Sequence, residues 1–440
     1  MVKQLSSMAA AEIQAQMDAV SSDPKGLPGA VLCIVSKDGR IFSHASGNIG
    51  ANTKKPMTTD TVFWMASCTK MITGIAAMQL VERGKLHLDD PDEVEKLCPE
   101  LEQIKILTGV DEDGTPHLVA KKNSITLRML LTHTAGFQYA WSNDNLRRFG
   151  NPIGINELSS HARDIYDTPL VFEPGTAWQY GIGIDWAGEL VMRVTGLSLN
   201  DYFLQNIFEP LGLKNINLFP TQSMKANLAH LHLRDWMDGS AKETDHILHL
   251  PLVVEESEKP GIYNSGGGGG FSSPSDYCGK LFYSQDLQVA STHIQPNAEI
   301  IAALLNNGTS PTTSAKILQP TTVDEMFRNQ IPQFPQFGRQ GMSPIKPGYG
   351  FPVSASEVYP QPAEQEQGHG LSFMITIHPG HTGRGGNTGQ WCGMPNVFWW
   401  ADREKGIGGM MAAQILPLGD PSAMGLWHKT EEAVYKHLET

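Results

Sequence analysis

The strand-forming stretches of this chain lie at its two ends, and the helix-forming stretches lie between them. Early on, AVLCIVSKDGRIFSHASG (30–47) carries β-branched and apolar residues around Lys37-Asp38-Gly39, a hairpin signal. Comparable stretches return only late, as LSFMITI (371–377), NVFWWAD (396–402) and GIGGMMAAQIL (406–416). A strand cannot leave its ladder groups unpaired in a core, so the two sets must find each other. The ends of the chain are therefore expected to meet in one sheet, with the middle forming a helical lobe beside it. Residues 1–26 and 422–439 read as amphipathic helices at either terminus. The stretch 106–122, with Asp113-Gly114 at its tip, reads as an exposed hairpin within the helical region. Residues 331–368, rich in Pro, Gln and Gly, read as loop.

A chain of 440 residues can bury a large core, and 40% hydrophobic with 18% charged residues is ordinary soluble composition. The formal charge of −13 and the lack of a Lys/Arg block argue against nucleic acid or an anionic membrane as partner. The five scattered cysteines contain no C-x-x-C, so neither a disulfide framework nor a zinc site is indicated, and a cytosolic setting is expected. His230, His232, His246 and His249 lack an ordered set of acidic or thiolate companions, so they read as surface or packed histidines. No metal and no cofactor is expected. G-x-S-x-G, P-loop, G-x-G-x-x-G and H-E-x-x-H motifs do not occur.

Three S-x-x-K tetrapeptides do occur, at Ser22, Ser67 and Ser343. The pattern carries chemistry only on a helix, where i and i+3 share a face and the amine can reach the hydroxyl. Ser22 and Ser343 are followed by helix-breaking Pro and Gly. After Ser67, by contrast, Met71, Ile72, Ile75, Ala76, Met78, Leu80 and Val81 fall at helical spacing until Gly84. Ser67 is thus the candidate nucleophile and Lys70 its basic partner; the competing reading of Ser67 is a plain N-cap. Tyr180 is a candidate third member: a phenol beside an ammonium is expected to have its pKa lowered, so Tyr180, with Lys70 adjusting its proton affinity, is expected to take the Ser67 proton. The run 266–270 of five glycines reads as a mobile hinge in a return crossing.

LRMLLTHTAGF (127–137), the stretch 172–213 around PGTAWQYGIG, and GGGGGFSSPSDY (266–277) resemble the ordered signature blocks of the serine β-lactamase-related family. That family includes class C β-lactamases, D-amino-acid peptidases, family VIII carboxylesterases and the fungal lovastatin-type acyltransferases, and the last branch is the most similar in style. The resemblance implies an α/β (α+β) fold, with an antiparallel sheet flanked by helices and a mostly helical second lobe. It divides the chain into a discontinuous sheet domain (1–84 and 270–440) and a mainly helical domain (85–269), with the active site at their junction. It also implies that Ser67 is the nucleophile, Lys70 the motif lysine and Tyr180 the tyrosine of the second motif. Where the β-lactamases have Tyr-x-Asn, this chain has Tyr180-Gly181-Ile182.

The third motif, usually Lys-Thr-Gly, is matched by Trp391-Cys392-Gly393, with His381-Thr382-Gly383 as the rival. The first match implies that a backbone N–H at Gly393 or Met394 joins that of Ser67 in an oxyanion hole, and that the pocket favours apolar over carboxylate-bearing substrates. Tyr139, Trp141 and Trp178 would extend an aromatic wall, against the competing reading of simple packing. The function implied is a serine esterase or acyltransferase that loads an acyl group on Ser67 and passes it to water or to the alcohol of a bulky, secondary-metabolite-like substrate. Its partners would be a small ester or thioester donor, an alcohol acceptor and, for a thioester, an acyl carrier protein. The alternatives are a β-lactamase or D-amino-acid peptidase and, in another class, a non-catalytic binding relative.

Overall fold

The computed structural model describes residues 4–278, 300–339 and 358–439. The Ser343–Lys346 tetrapeptide and residues 340–357 of the expected loop lie outside the described residues. The central sheet has seven strands: β1 (Gly29–Ser36), β2 (Gly39–Gly47), β3 (Gly368–His369), β4 (Met374–Thr376), β5 (Thr388–Gly393), β6 (Val397–Asp402) and β7 (Ile407–Ala412). Their spatial order is β3-β4-β5-β6-β7-β1-β2, with every neighbouring pair antiparallel. The early hairpin joins the late meander through β7 and β1, where Ile407 faces Ser36 and Ala412 faces Val31. The first and last described backbone segments also pair, Gln4 with Glu439 and Leu5 with Leu438.

Both faces of the sheet are covered, and this is why β1 and β6 are buried along their whole length. Leu32, Ile34, Phe398, Trp400 and Met411 point into one core, closed by α1 (Ser7–Ser22) and by the C-terminal helix Pro421–Lys436. Val31, Cys33, Trp399, Ala401 and Met410 point the other way, into the larger core. There the helices Pro274–Cys278 and Ile300–Leu305 cover the strands, and the same core continues into α2 (Thr69–Glu82) and α3 (Gly183–Thr195), which pack on each other. Burial runs unbroken along α2 from Thr69 to Leu80, so this helix is surrounded on all sides rather than amphipathic. Among the described residues, no helix is long and apolar enough to cross a membrane.

The hairpin expected around Asp113-Gly114 is present as Lys105–Val110 against Pro116–Ala120. The five-glycine run is not a hinge. Residues 266–270 are buried throughout and packed against α2 and α3, because the missing side chains let the backbone approach both helices closely. His246 and His249 do not share a helix turn; His246 lies between a strand and the next helix, and its ring is bonded to the carbonyl of Ala229 at 3.2 Å.

On the α1 side of the sheet, Arg384 and Glu431 form an ion pair in which both side chains are fully buried, with two contacts of 2.6 Å. Arg384 also donates to Gln390 of β5 at 2.5 Å, tying the C-terminal helix to that strand. A buried charge left without its partner is costly, so Glu431→Gln is expected to lower stability by about 3–5 kcal/mol. Urea unfolding monitored by tryptophan fluorescence checks this.

Candidate active site

Ser67 sits in a single 3-10 turn, Ala66–Cys68, that leads directly into α2. The residue before it, Ala66, has φ of +44°, a left-handed conformation that a non-glycine residue holds only when its surroundings enforce it. The enforcement is visible. The N–H of Met65 donates to the carbonyl of Gly270 at 2.8 Å, and the Thr69 hydroxyl donates to the carbonyl of Ala66 at 2.7 Å. The same Thr69 oxygen accepts the N–H of Gly270 at 2.9 Å, and the Tyr277 hydroxyl donates to the carbonyl of Cys68 at 2.8 Å. Ser67 does not serve as an N-cap: its oxygen is engaged by two other side chains.

Those side chains are Lys70 and Tyr180. Lys70 Nζ lies 3.1 Å from Ser67 Oγ, and the Tyr180 hydroxyl lies 2.5 Å from it. Lys70 reaches back from the first turn of α2, whereas Tyr180 comes from the extended segment just before α3. Lys70 is fully buried, and its amine has two further partners, the Tyr139 oxygen at 3.1 Å and the Gly267 carbonyl at 2.6 Å. Three acceptors match the three donors of an ammonium. A neutral amine would keep the Gly267 and Tyr139 contacts and turn its lone pair to the Ser67 proton.

Burial disfavours the ammonium and brings the Lys70 pKa down to about 8, against the opposing pull of Asp185. For Tyr180 the direction is opposite to the sequence-based expectation. Burial of the phenol dominates and pushes its pKa well up, since an uncompensated phenolate is costlier in this setting than a neutral hydroxyl. Lys70, not Tyr180, is therefore the member of the trio whose deprotonated form is accessible near neutral pH.

Two groups at this centre have roles that sequence reasoning missed. Tyr139 was expected only as part of an aromatic wall, yet its oxygen contacts the Lys70 amine directly. Asp185 was not singled out. It lies in the first turn of α3, only 2% exposed, and its Oδ1 accepts from the Ser265 hydroxyl at 2.7 Å and from the Gly267 N–H at 2.9 Å. An apolar-rich helix with an acidic residue in its first turn looks like ordinary helix chemistry, so its spacing from Tyr180 offered no signal. Ile182, at the position of the missing amide, is fully buried in the large core.

In front of Ser67 opens a cleft whose space, about 1100 Å³, includes a part open to solvent. Trp391, Cys392 and Met394 line it, as do Trp178, Tyr139 and Trp141, with Trp64, Leu158 and Leu418 completing an apolar wall. The Trp391 ring stands 5.2 Å from that of Tyr180. Gly393 is not on the cleft wall; a Cβ there would come within 2.3 Å of the Met65 carbonyl, so the end of β5 lies directly on the backbone leading to Ser67. The Cys392 thiol is pushed up to about 12 by burial, which fits packing rather than reactivity. The rival third motif is elsewhere: Thr382 bonds Glu431 and the Tyr359 hydroxyl in the buried Arg384 network on the other side of the sheet.

A family model described as beta-lactamase matches residues 10–429, almost the whole chain. The chain belongs to the beta-lactamase family. Within it, the chain is 30% identical over 409 residues to the lovastatin esterase of Penicillium rubens, spanning 90% of this chain and 91% of that one. It is 30% identical over 426 residues to the monacolin J acid methylbutanoyltransferase of Aspergillus terreus, spanning 93% and 92%. A mutant of the simvastatin synthase of Aspergillus terreus has a similar structure, with a TM-score of 0.79 at 28% identity, covering 98% of this chain and 95% of that one. This beta-lactamase family member is a serine hydrolase/acyltransferase of the esterase and transesterase kind.

The glycine rail generates a direct test. A Cβ on Gly267 would meet Asp185 Oδ2 at 2.2 Å, so Gly267→Ala must displace the carbonyl that holds Lys70 or the carboxylate behind it. Ester cleavage is expected to fall on the order of a hundredfold, the scale of an ångström-level misplacement, with the melting temperature changing far less than for a core deletion. Parallel kinetics and thermal melts check it.

Proposed function

We propose that Ser67 is the nucleophile, Lys70 the general base and Tyr180 the proton donor to the leaving group of a serine esterase/acyltransferase. The observation that carries this reading is the placement of the Lys70 amine and the Tyr180 hydroxyl on one serine oxygen, at 3.1 and 2.5 Å, at the floor of an apolar cleft. In acylation, neutral Lys70 takes the Ser67 proton while Oγ attacks the carbonyl carbon of the donor. The oxyanion is held by the backbone N–H of Ser67 together with that of Met394, which lines the cleft where Gly393 does not. When the intermediate collapses, the leaving oxygen or sulfur takes the proton of Tyr180, and the Lys70 ammonium restores it. The net transfer is from the Lys70 ammonium to the leaving atom, with Tyr180 as the relay to an alkoxide, while a thiolate needs no stronger acid than that ammonium. Deacylation is the reverse, with water or an acceptor alcohol giving up its proton.

The same reading assigns the sheet region (1–84 and 270–440) and the mainly helical region (85–269) as two domains with the site between them. Ser67, Lys70 and Trp391 come from the first, and Tyr139, Tyr180, Asp185 and Gly267 from the second. The cleft wall of Trp391, Trp178, Trp141 and Leu158 suits an uncharged acyl donor and a bulky alcohol of the polyketide kind. The names of the relatives, which describe esterase and methylbutanoyl transfer on statin-type compounds, support small acyl groups and such acceptors. A thioester donor tethered to an acyl carrier protein belongs to the same proposal, as does a cytoplasmic location.

Incubation with a short-chain nitrophenyl ester is expected to give one acyl adduct by intact mass, mapped to the peptide holding Ser67 and abolished by Ser67→Ala. Because the base must be neutral, acylation is slow below the Lys70 pKa and rises with pH through about 8. Lys70→Ala is expected to remove that limb and to cost on the order of a thousandfold. Substrate choice is a separate prediction. With Ile182 and Trp391 where a lactam-binding site carries an amide and a cation, ester turnover is expected to exceed that of a chromogenic cephalosporin by on the order of a hundredfold in kcat/KM. The reverse ratio would assign the chain to lactam hydrolysis.

A further inference from the structure

We propose that Asp185 is a positioning residue that sets the proton affinity of Lys70, acting through its charge and through the backbone of Gly267. The proposal rests on the reading of Lys70 as the base. Gly267 is gripped from both sides: its N–H donates to Asp185 Oδ1 at 2.9 Å, and its carbonyl accepts from Lys70 Nζ at 2.6 Å. The carboxylate in turn is fixed by the Ser265 hydroxyl at 2.7 Å and packs so tightly on Gly267 that no side chain fits there. Burial pushes the Asp185 carboxyl above its ordinary value, while Lys70, the Ser265 hydroxyl and the Gly267 N–H oppose that rise; its anion lies one residue away from the buried amine and is held by the same groups that let it act on that amine.

The other ionisable groups around the pair do not compete. Facing Lys70 are Cys68 on its own turn, Tyr139, Tyr180, His133 and Cys392 on β5. Facing Asp185 are Lys70, Tyr139, Tyr180 and Tyr263, whose hydroxyl donates to the Asp185 backbone carbonyl at 3.1 Å. Burial raises the tyrosines and cysteines and lowers His133, so all of them stay neutral through the range in which Lys70 titrates. Glu157 acts on Tyr139, one step removed from the amine. Among the described groups acting on Lys70, Asp185 is the carboxylate. It holds the amine more basic than burial alone would, which places the working range of the enzyme near neutral to mildly alkaline pH instead of far below it.

The test removes the charge and keeps the shape. Asp185→Asn retains an oxygen that can accept from Ser265 and Gly267, but the amide no longer favours the ammonium. The sign follows directly: Lys70 loses its stabilising anion, its pKa falls, and the limb of the pH–rate profile moves to lower pH by about one unit or more. At pH 6 the variant should then run at a fraction of its own plateau roughly tenfold higher than wild type does. The Lys70 titration is read independently by NMR of lysine labelled at Cε, with Lys70→Ala to assign the signal. Asp185→Ser, a second charge-removing variant, serves if the asparagine protein does not fold, and Asp185→Glu should restore the titration towards that of wild type. A Lys70 signal near pH 8 in wild type that stays in place in the charge-removing variants overturns the proposal but leaves Lys70 as base. Absence of any Lys70 titration or rate limb near pH 8 in wild type instead overturns the base assignment, and this proposal with it.

Discussion

The whole site depends on keeping one lysine amine dry and fully hydrogen-bonded. Lys70 is buried, and an ammonium in that position is tolerable only because three oxygens converge on it from three separate segments of chain. One belongs to Ser67 on the adjacent turn, one to Tyr139 and one to the backbone carbonyl of Gly267 in the glycine run. Meeting that demand explains several local oddities at once. α2 is buried along nearly its whole length, Ala66 holds a left-handed φ, and the glycine run passes so close to two helices that a Cβ at Gly266, Gly267 or Gly270 would crowd Thr73, Asp185 or Thr69.

The cleft in front of that amine is built in a different style. Its walls are mostly indole, phenol and aliphatic surface, with the Trp391 ring beside that of Tyr180. Apolar walls exclude water and strengthen every electrostatic contact at the floor, while leaving orientation to a few polar groups. Whether an acyl-enzyme in such a cleft goes to water or to an alcohol then depends on how well the acceptor fills it. The same framework thus serves the esterase and the transferase names found among its relatives.

Helix and strand positions were legible in the sequence because periodicity and turn chemistry act locally. The hairpins at Lys37-Asp38-Gly39 and Asp113-Gly114 are where their turn residues put them. Of the three S-x-x-K tetrapeptides, Ser67 could be chosen from its helical context alone. Two expectations failed for one shared reason, that a residue's environment is set by segments far away in the chain. The glycine run was read as a hinge, since glycine weakens a chain in isolation; packed between α2 and α3, it is a rigid rail. The phenol of Tyr180 was expected to turn acidic beside an ammonium, but burial outweighs that neighbour.

By itself the sequence determined the order of elements, the meeting of early and late strands, and the residue types able to do acyl-transfer chemistry, because each follows from patterns a few residues long. Only the tertiary structure decided that Tyr139 and Gly267 complete the shell around Lys70, that Asp185 stands behind it, and that His381-Thr382-Gly383 belongs to a pillar on the far side of the sheet. Those outcomes depend on distances between segments separated by scores of residues, and on desolvation, which is a property of the packed interior and not of any stretch of chain.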